Sequence, residues 1–428
     1  MISSICFLCC SGFSEPAGIN LNLPMFSSFA GKHIVIGVTG SIAAFKVAGW
    51  VSALAKEEAL VDVIMTAAAQ KFVAPLTFAS LSGRRVFDDM FAAEQEGTMS
   101  HIGLAREADC LLVAPATAQT IARLAHGLAD DLLTTTILAA QVPVLICPAM
   151  NVKMYEHPAT VKNLNILKEY GYRVIEPDSG LMACGEEGPG RLPEWDQVSQ
   201  FVLREILDND LAGQSILVTA GPTREAYDPA RFLSNRSSGK MGYAIAGAAF
   251  RRGAEVTLIS GPTALEPPPG VTCIPVTTAL QMYEAVMGNY QKASVIVKAA
   301  AVADFRCAEQ HREKIKKDSS ALMMELEANP DILKELGTIC DHERQLLVGF
   351  AAESSNIEQE GQKKLKNKNL DLIAVNDISS DASGFAVDTN QITLIDKNRT
   401  VILPHTSKSR TADLIWNHIV DHKLLKGN

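Results

Sequence analysis

The sequence predicts an α/β protein with two three-layer α/β/α domains, each built around a mainly parallel sheet. From Gly31 onward, short apolar runs of strand length alternate with amphipathic segments of helical spacing. Such alternation is typical of parallel strands joined by helices that cover both faces of a sheet. The chain has 428 residues, more than one hydrophobic core usually serves, and the pattern restarts near residue 214. We therefore predict a first domain over residues 31–210 and a second over residues 211–428.

The apolar runs of the first half locate its elements. A helix is expected over residues 41–56, where apolar residues recur at helical spacing and Ser41 is the candidate N-cap. A closing helix is expected over residues 196–210. Strands are predicted at residues 33–38, 61–65, 110–115, 142–148 and 172–177.

The second half repeats this order. A strand at 214–222, a helix at about 239–252 and a strand at 254–262 are predicted, followed by strand-like runs at 346–352 and 370–375. The connection 221–238 is long for a loop between a strand and a helix. Long ordered loops in compact domains usually serve function.

Composition excludes several classes of protein. The net charge is −9, which disfavours a general nucleic-acid binder. No run reaches the ~18 apolar residues of a membrane helix, and nine scattered cysteines fit reduced thiols in a cytoplasmic protein. Residues 1–30 lack Lys and Arg, so we expect a disordered extension rather than a secretory signal.

A turn suited to phosphate follows the first strand. In GVTGSIAAF (37–45), small residues and the free N–H groups of a helix start can accept a phosphate. A tight structural turn would look the same. The second strand ends at Thr66, where a fold that binds NAD usually carries an acidic residue for the ribose. A mononucleotide is therefore favoured over NAD.

Other polar residues follow predicted strands or precede helices. They are Thr117 in APAT, His101 in SHI, Asn151 and Met154 in PAMNVKM, and Cys184 in a glycine-rich loop. Taken singly, each has an ordinary explanation as a cap, a turn former or an idle thiol.

Together, this order of motifs resembles the phosphopantothenoylcysteine decarboxylase family, a group of flavodoxin-like or Rossmann-like flavoproteins, over about residues 31–195. The resemblance implies that the cysteinyl thiol of the substrate is oxidised with FMN and that carbon dioxide then leaves. It assigns His101 as base, Asn151 to the substrate carboxylate and Cys184 as proton donor. Met154 would cover the site. The FMN contacts that it implies are Gly40, Ser41, Ile42, Thr66, Thr117 and Ala118.

The second half carries its own motifs. In order, they are GPTRE, SNRSSGKMG, AAVAD, EKIKK, NPDI, VGFAAE and NLDLIAVND. Arg224, Arg231, Arg236 and Lys240 concentrate positive charge around the long connection, although a solvated charged face would look similar. Lys364 and Lys368 are spaced to share one face of a helix. Two ammonium groups on one face suit a triphosphate.

These motifs resemble the phosphopantothenate–cysteine ligase family over about residues 211–420, which implies a Rossmann-like ligase. The whole chain thus resembles bifunctional proteins of coenzyme A biosynthesis. The resemblance implies that CTP, with Mg²⁺, activates 4′-phosphopantothenate as an acyl-cytidylate, which cysteine then attacks. Lys314 would stabilise charge during activation, and Asn235 would bind the intermediate. The implied CTP contacts are Ala299, Ala300, Asp304, Lys314, Asn329, Pro330, Asp331, Ile332, Phe350, Lys364 and Lys368.

Some properties of the chain rest on this resemblance alone. It suggests a homo-oligomer, with trimeric decarboxylase cores and dimeric ligase halves, and no metal ligands are assigned. Lys298 stands where the family often carries a small or apolar residue, so no CTP contact is assigned to it. The alternatives are a peptidyl-cysteine decarboxylase, a flavin prenyltransferase, a flavin-binding regulatory protein without turnover, and a nicotinamide-dependent dehydrogenase.

Overall fold

A computed structural model describes residues 28–91, 99–183, 185–316, 323–377, 387–422 and 424–425. Within them the first half contains alternating strands and helices. These are β1 (His33–Val38), α1 (Ala44–Lys56), β2 (Leu60–Met65), α2 (Pro75–Ser82), β3 (Val86–Phe87), α3 (Ser100–Glu107), β4 (Cys110–Ala116), α4 (Ala118–Ala125), α5 (Leu132–Leu138), β5 (Val144–Pro148), α6 (Val152–Tyr155), α7 (Pro158–Glu169), β6 (Arg173–Val174), β7 (Asp178–Leu181), β8 (Glu187–Arg191) and α8 (Trp195–Ile206).

The first sheet has six strands in the order β3-β2-β1-β4-β5-β6, and every neighbouring pair is parallel. β1 is buried along its whole length. Ile34, Ile36 and Val38 point into one hydrophobic cluster, and Val35 points into the cluster on the opposite face. The sheet is therefore covered on both sides, as the alternating pattern predicted.

Phe29 extends the folded domain toward the N-terminus. This side chain lies in the segment 1–30 for which we expected disorder, yet it is 1% exposed. Its ring packs against Trp195 of α8, with the ring centroids 5.7 Å apart. Residues 1–27 lie outside the described residues.

The second half contains a second alternating series. Its elements are β9 (Ser215–Ala220), β10 (Arg224–Asp228), β11 (Arg231–Ser234), α9 (Lys240–Arg251), β12 (Glu255–Ser260), β13 (Thr272–Pro275), α10 (Ala279–Asn289), β14 (Val295–Lys298), β15 (Phe305–Cys307), β16 (Leu326–Ala328), α11 (Ile332–Ile339), β17 (Leu346–Glu353), α12 (Ile357–Asn367), β18 (Leu372–Asp377), β19 (Thr389–Asn390), β20 (Ile392–Asp396), β21 (Thr400–Ile402), β22 (Thr406–Ser407) and α13 (Lys408–Asp421).

Its main sheet has eight strands in the order β13-β12-β9-β14-β17-β18-β20-β21. The first six are parallel, whereas β20 and β21 join antiparallel. The parallel strands repeat the order of the first sheet, because β9 takes the place of β1 and β14 that of β4. In both halves the strand order reverses beside the first strand, and α/β folds bind ligands at such a point.

Three local expectations were wrong. The connection 221–238 is not a plain loop, since β10 and β11 form an antiparallel hairpin within it. The strand predicted at 172–177 is limited to Arg173–Val174. Ser41 does not cap α1, which begins at Ala44. The Ser41 hydroxyl instead accepts a hydrogen bond from the Ala43 amide at 3.3 Å, which completes a turn before the helix.

The two halves meet where α8 packs against α9. Arg204 of α8 donates hydrogen bonds to the carbonyl oxygens of Gly253 and Ala254, at 2.9 and 3.0 Å, just beyond the C-terminus of α9. A cation suits the negative end of a helix dipole. The rings of Phe201 and Phe250 meet edge to face beside this contact.

Candidate active sites

A buried threonine joins the strands at the point of reversal in the first sheet. The Thr39 hydroxyl, 1% exposed, donates to the Pro115 carbonyl at 2.6 Å. It also accepts from the Thr117 amide at 3.1 Å. The ends of β1 and β4 are therefore held in fixed relative positions. Sequence reasoning missed Thr39, whose only signal was its place between the strand and the glycine of GVTGS.

The turn after β1 presents unused backbone donors. Within the described residues, the amides of Gly40 and Ile42 donate no hydrogen bond, whereas those of Ser41 and Ala43 are used inside the turn. Gly40 also packs closely on the neighbouring loop, since a Cβ there would lie 2.5 Å from the Ala68 Cβ. Two free N–H groups in the turn before a helix can donate hydrogen bonds to a phosphate.

Beside this turn lies cavity A, of about 440 Å³, lined mainly by residues of segments 41–46, 149–151, 181–183 and 190–192. Its rim leaves large apolar side chains in solvent, with Ile42 57%, Phe45 61% and Leu181 69% exposed. Lys46 and Arg191 also line it, and Lys46 forms an ion pair with Glu194 at 2.7 Å. An apolar cleft next to a turn with free amides suits a flat ring system that carries a phosphate.

Asn151 lies in cavity A with both ends of its amide engaged. Its carbonyl oxygen accepts from the Lys153 amide at 2.8 Å and caps α6. Its nitrogen donates to the Glu186 carboxylate at 2.5 Å. The hairpin of β7 and β8, which carries Glu186 near its tip, is fixed to the loop before Asn151 because Gly190 O accepts from the Met150 amide at 3.0 Å.

The other predicted residues of the first half are spread around the ends of the strands. The Thr66 hydroxyl lies near the Val38 carbonyl, at 3.4 Å, and Thr117 caps α4, which starts at Ala118. Met154 of α6 is half exposed. These residues and His101 do not line cavity A. Cys184 lies outside the described residues.

His101 is unusual among the polar side chains that the structure describes. It lies in the first turn of α3, and its Nδ1 is buried without a hydrogen-bond partner in the described residues. Buried polar atoms are rarely left unpaired, and exceptions often mark functional groups.

In the second half, three loops meet where β9 and β14 end. The Thr223 hydroxyl accepts from the Ala303 amide at 3.0 Å. Asn235 donates from Nδ2 to the carbonyl oxygens of Ala301 and Val302, both at 3.1 Å. The loop 299–303 is thereby fixed to both the β9 loop and the end of the hairpin. Thr223 was overlooked, because its partner is 80 residues away.

Cavity B, of about 260 Å³, opens beside this loop. It is bounded by the end of β14, the loop that follows, the start of α11 and the residue that follows α12. Most of the predicted CTP residues line it, as does Lys298, to which no contact had been assigned. Those predicted residues are Ala300, Asp304, Asn329, Pro330, Asp331, Ile332, Phe350 and Lys368.

Cavity C, of about 160 Å³, lies at the N-terminus of α9 and also contains the predicted Ala299. Lys240 and Lys408 line it, and Lys408 is buried. The Oδ1 atom of Asn376, which also lines cavity C, is buried without a partner in the described residues. Cavities B and C share Ala300, Ala301 and Phe350 as a common wall.

Two predicted lysines do not line either cavity. Lys314 is exposed beside Ile315, whose amide donates to Asp228 at 3.2 Å and so joins this loop to the hairpin. Lys364 forms an ion pair with Glu353. Lys368 was expected on the helix face with Lys364, but it follows α12 as its C-cap and pairs with Asp331.

Both halves of the chain match known families. A family model for flavoproteins matches residues 27–207, and one for the C-terminal domain of DNA/pantothenate metabolism flavoproteins matches residues 211–423. The coenzyme A biosynthesis bifunctional protein CoaBC of Bacillus subtilis is 46% identical over 371 residues, which cover 86% of this chain and 91% of the relative. The chain belongs to the CoaBC family.

Other known proteins are also similar to this chain. CoaBC of Escherichia coli K12 is 44% identical over 92% of this chain and 98% of its own length. The crystal structure of the C-terminal domain of a CoaBC protein is 44% identical, covers 50% of this chain and 98% of that chain, and superposes with a TM-score of 0.43.

Membership of the CoaBC family makes this chain a bifunctional enzyme of coenzyme A biosynthesis, with a flavoprotein half and a second, ligase-like half. The two α/β domains predicted from the sequence agree with the observed sheets. No helix among the described residues is long and apolar enough to cross a membrane.

The first half fits a flavin nucleotide. The free amides of Gly40 and Ile42 suit its phosphate, and the apolar rim of cavity A suits its ring.

No metal ligands are assigned in either half. The described residues contain no group of three or more His, Cys, Asp and Glu side chains that could hold an ion.

Gly40→Ala is expected to lower the flavin content of the purified protein severalfold. The new Cβ would lie 2.5 Å from the Ala68 Cβ, so the turn that carries the free amides must move. Gly49→Ala in α1 is the matched control, since a Cβ there meets nothing within 4 Å, and alanine favours a helix. Flavin absorbance per mole of protein measures the effect. Equal flavin content in both variants would contradict the role of the turn.

Proposed function

We propose that this chain couples cysteine to 4′-phosphopantothenate with CTP, and then decarboxylates the product with FMN to give 4′-phosphopantetheine. The observation that carries the ligase part is the convergence of the predicted CTP residues on cavity B, which shares a wall with cavity C. A nucleotide in one cavity and an acyl substrate in the other would meet at Ala300, Ala301 and Phe350.

Two substitutions would take place at this wall. The carboxylate of 4′-phosphopantothenate attacks the α-phosphorus of CTP, and pyrophosphate leaves. The cysteine amine then attacks the acyl-cytidylate, forms the amide, and releases CMP and a proton. Activation is required because a free carboxylate is a poor acyl donor. Mg²⁺ would accompany the triphosphate as a counter-charge.

The product would then move to cavity A. Bound FMN supplies reversible two-electron oxidation there. The Asn151 amide, which holds the Glu186 carboxylate in this structure, would exchange it for the substrate carboxylate, a group of the same charge and shape. His101 would accept the proton that the substrate loses on oxidation, and Cys184 would return one to the product.

We infer that the decarboxylase site is completed by a second copy of the chain. His101 does not line the same cavity as Asn151, and the rim of cavity A exposes several large apolar side chains. Large exposed apolar patches mark interaction surfaces. Trimeric decarboxylase cores, dimeric ligase halves and a cytoplasmic location complete the proposal.

The function is tested by incubating the chain with 4′-phosphopantothenate, cysteine, CTP and Mg²⁺, followed by mass spectrometry. The expected product is 4′-phosphopantetheine. Omission of CTP should abolish all products, and removal of the flavin should leave 4′-phosphopantothenoylcysteine. Absence of both masses from the complete mixture would refute the proposal.

Lys314→Gln is expected to slow CTP-dependent pyrophosphate release by about 10²-fold, the usual effect of losing one donor that stabilises developing charge. Lys316→Gln, two residues along the same exposed loop, should release pyrophosphate at nearly the normal rate. Coupled-enzyme detection of pyrophosphate compares the two. Equal rates would remove Lys314 from the activation step.

A further inference from the structure

Lys298 is a buried lysine in the wall of cavity B. It is the last residue of β14, 6% exposed, and it lines the cavity. Its Nζ donates a hydrogen bond to the sulfur of Met282, at 3.8 Å. No oxygen of the described residues accepts a hydrogen bond from this ammonium group, although it carries three donors.

Such a position is costly for a lysine. The pKa of Lys298 is lowered to about 7, mainly by burial and also by the positive charge of Lys368, while the negative charge of Asp331 opposes the shift. A methionine would fill the same space without an unsatisfied donor. Packing alone therefore gives no reason for an ammonium group here.

The surrounding charges leave Lys298 without a counter-ion. From α10 it meets the neutral Met282. From the end of α12 it faces Lys368, and from the start of α11 it faces Asp331. Those two already pair with each other at 3.2 Å. Asp304, which also lines cavity B, is exposed. When Lys298 is protonated, the two lysines and the two aspartates that line the cavity balance in charge, but the Nζ of Lys298 still has no oxygen acceptor among the described residues.

We propose that Lys298 binds the phosphate chain of CTP in cavity B and takes up a proton as the nucleotide binds. This inference rests on the proposed ligase function and adds to it a side chain that the family motifs did not identify. The phosphate chain of a nucleotide supplies the oxygen acceptors that Nζ lacks and places negative charge directly beside it. A neutral base would leave Lys298 and Lys368 repelling each other.

The sign of the pH dependence follows from this linkage. At pH 8 Lys298 is mostly neutral in the free protein, because its pKa is about 7, whereas the bound polyanion favours the charged form. The terminal phosphate has a pKa near ~6 and is already fully ionised. Binding at pH 8 should therefore take up close to one proton, and affinity should fall as the pH rises from ~7 to ~9.

The test is titration calorimetry of the full chain with CTP and Mg²⁺ at pH 8, in two buffers of different ionisation enthalpy. Without the acyl substrate no turnover occurs. The native protein should take up nearly one proton, and Lys298→Met should take up none. At pH 7 the variant should bind CTP about 10- to 100-fold more weakly, the range for a lost hydrogen bond to a charged group. Lys363→Met, which removes an exposed ammonium of α12, should behave as the native protein does.

Titrations with CMP and cytidine show which part of the nucleotide Lys298 contacts. The loss of affinity in Lys298→Met should shrink with CMP and vanish with cytidine. An equal loss for all three ligands would place Lys298 at the base and overturn the inference. Unchanged CTP affinity, or proton uptake retained in the variant, would overturn it too. If the native protein binds no CTP at all, the proposed ligase function itself fails, so the two failures are distinguishable.

Thermal unfolding guards against a folding artefact. Lys298→Met should be at least as stable as the native protein, because it removes a buried ammonium. The folded-state pKa of Lys298 lies below its ordinary value of 10.5, so the unfolded state binds the proton more tightly between pH 7 and 10.5. The free energy of unfolding of the native protein should therefore rise with pH across this window, by a contribution that the variant lacks. If the free energy of unfolding changed equally with pH in the two proteins, the pKa of Lys298 would not be lowered in the folded state.

Discussion

Replacement of His101 by asparagine is expected to slow decarboxylation by about 10²- to 10⁴-fold, the usual range for loss of a positioned acid–base group, and to leave CTP-dependent ligation unchanged. Asparagine keeps a polar group near the position of Nδ1, which is buried without a described partner. It cannot accept and return a proton near neutral pH. The variant therefore separates proton transfer from packing.

The measurement supplies 4′-phosphopantothenoylcysteine directly and follows the loss of carbon dioxide by mass spectrometry. Flavin absorbance of the purified variant shows whether the cofactor site is intact. His126→Asn is the control, because His126 is exposed at the C-terminus of α4. This variant should decarboxylate the substrate at the native rate. If His101→Asn kept native activity with full flavin content, the base would have to be another group.

The sequence predicted those parts of the fold that follow from local periodicity. The buried strand β1 and the helix α1 were evident because apolar spacing reflects which faces are covered. The turn after β1 was also recognisable as a candidate phosphate site, although its sequence alone did not distinguish it from a tight structural turn. These features depend on neighbours within a few residues along the chain.

The features that the sequence did not reveal depend on contacts between distant segments. Thr39 and its partner Pro115 are 76 residues apart, and no pattern near Thr39 signals that contact. Lys364 and Lys298 illustrate the same limit. Helical spacing pointed to Lys364, whose ammonium is held by Glu353. The packing of β14 against α10 buries Lys298 at the cavity instead.

Asn235→Asp is expected to lower overall ligation by about 10²-fold while CTP-dependent pyrophosphate release continues. Asn235 donates to the carbonyl oxygens of Ala301 and Val302. An aspartate would place a carboxylate against these oxygens and leave all of them unsatisfied, a penalty in the range of ~1–3 kcal/mol or more for a charged group. Ala301 belongs to the wall shared by cavities B and C, where the acyl-cytidylate would lie.

The two steps should respond differently because they depend on different residues. Activation needs CTP and the acyl substrate in their own cavities, whereas amide formation needs the intermediate held in place for the cysteine amine. The acyl-cytidylate should therefore accumulate in Asn235→Asp and be visible by mass spectrometry after a rapid quench. Asn235→Ala, which removes the donors without adding charge, should show a smaller defect. Asn289 lines neither cavity, so the control variant Asn289→Asp should ligate normally. Equal loss of pyrophosphate release and amide formation in Asn235→Asp would assign Asn235 to the activation step instead.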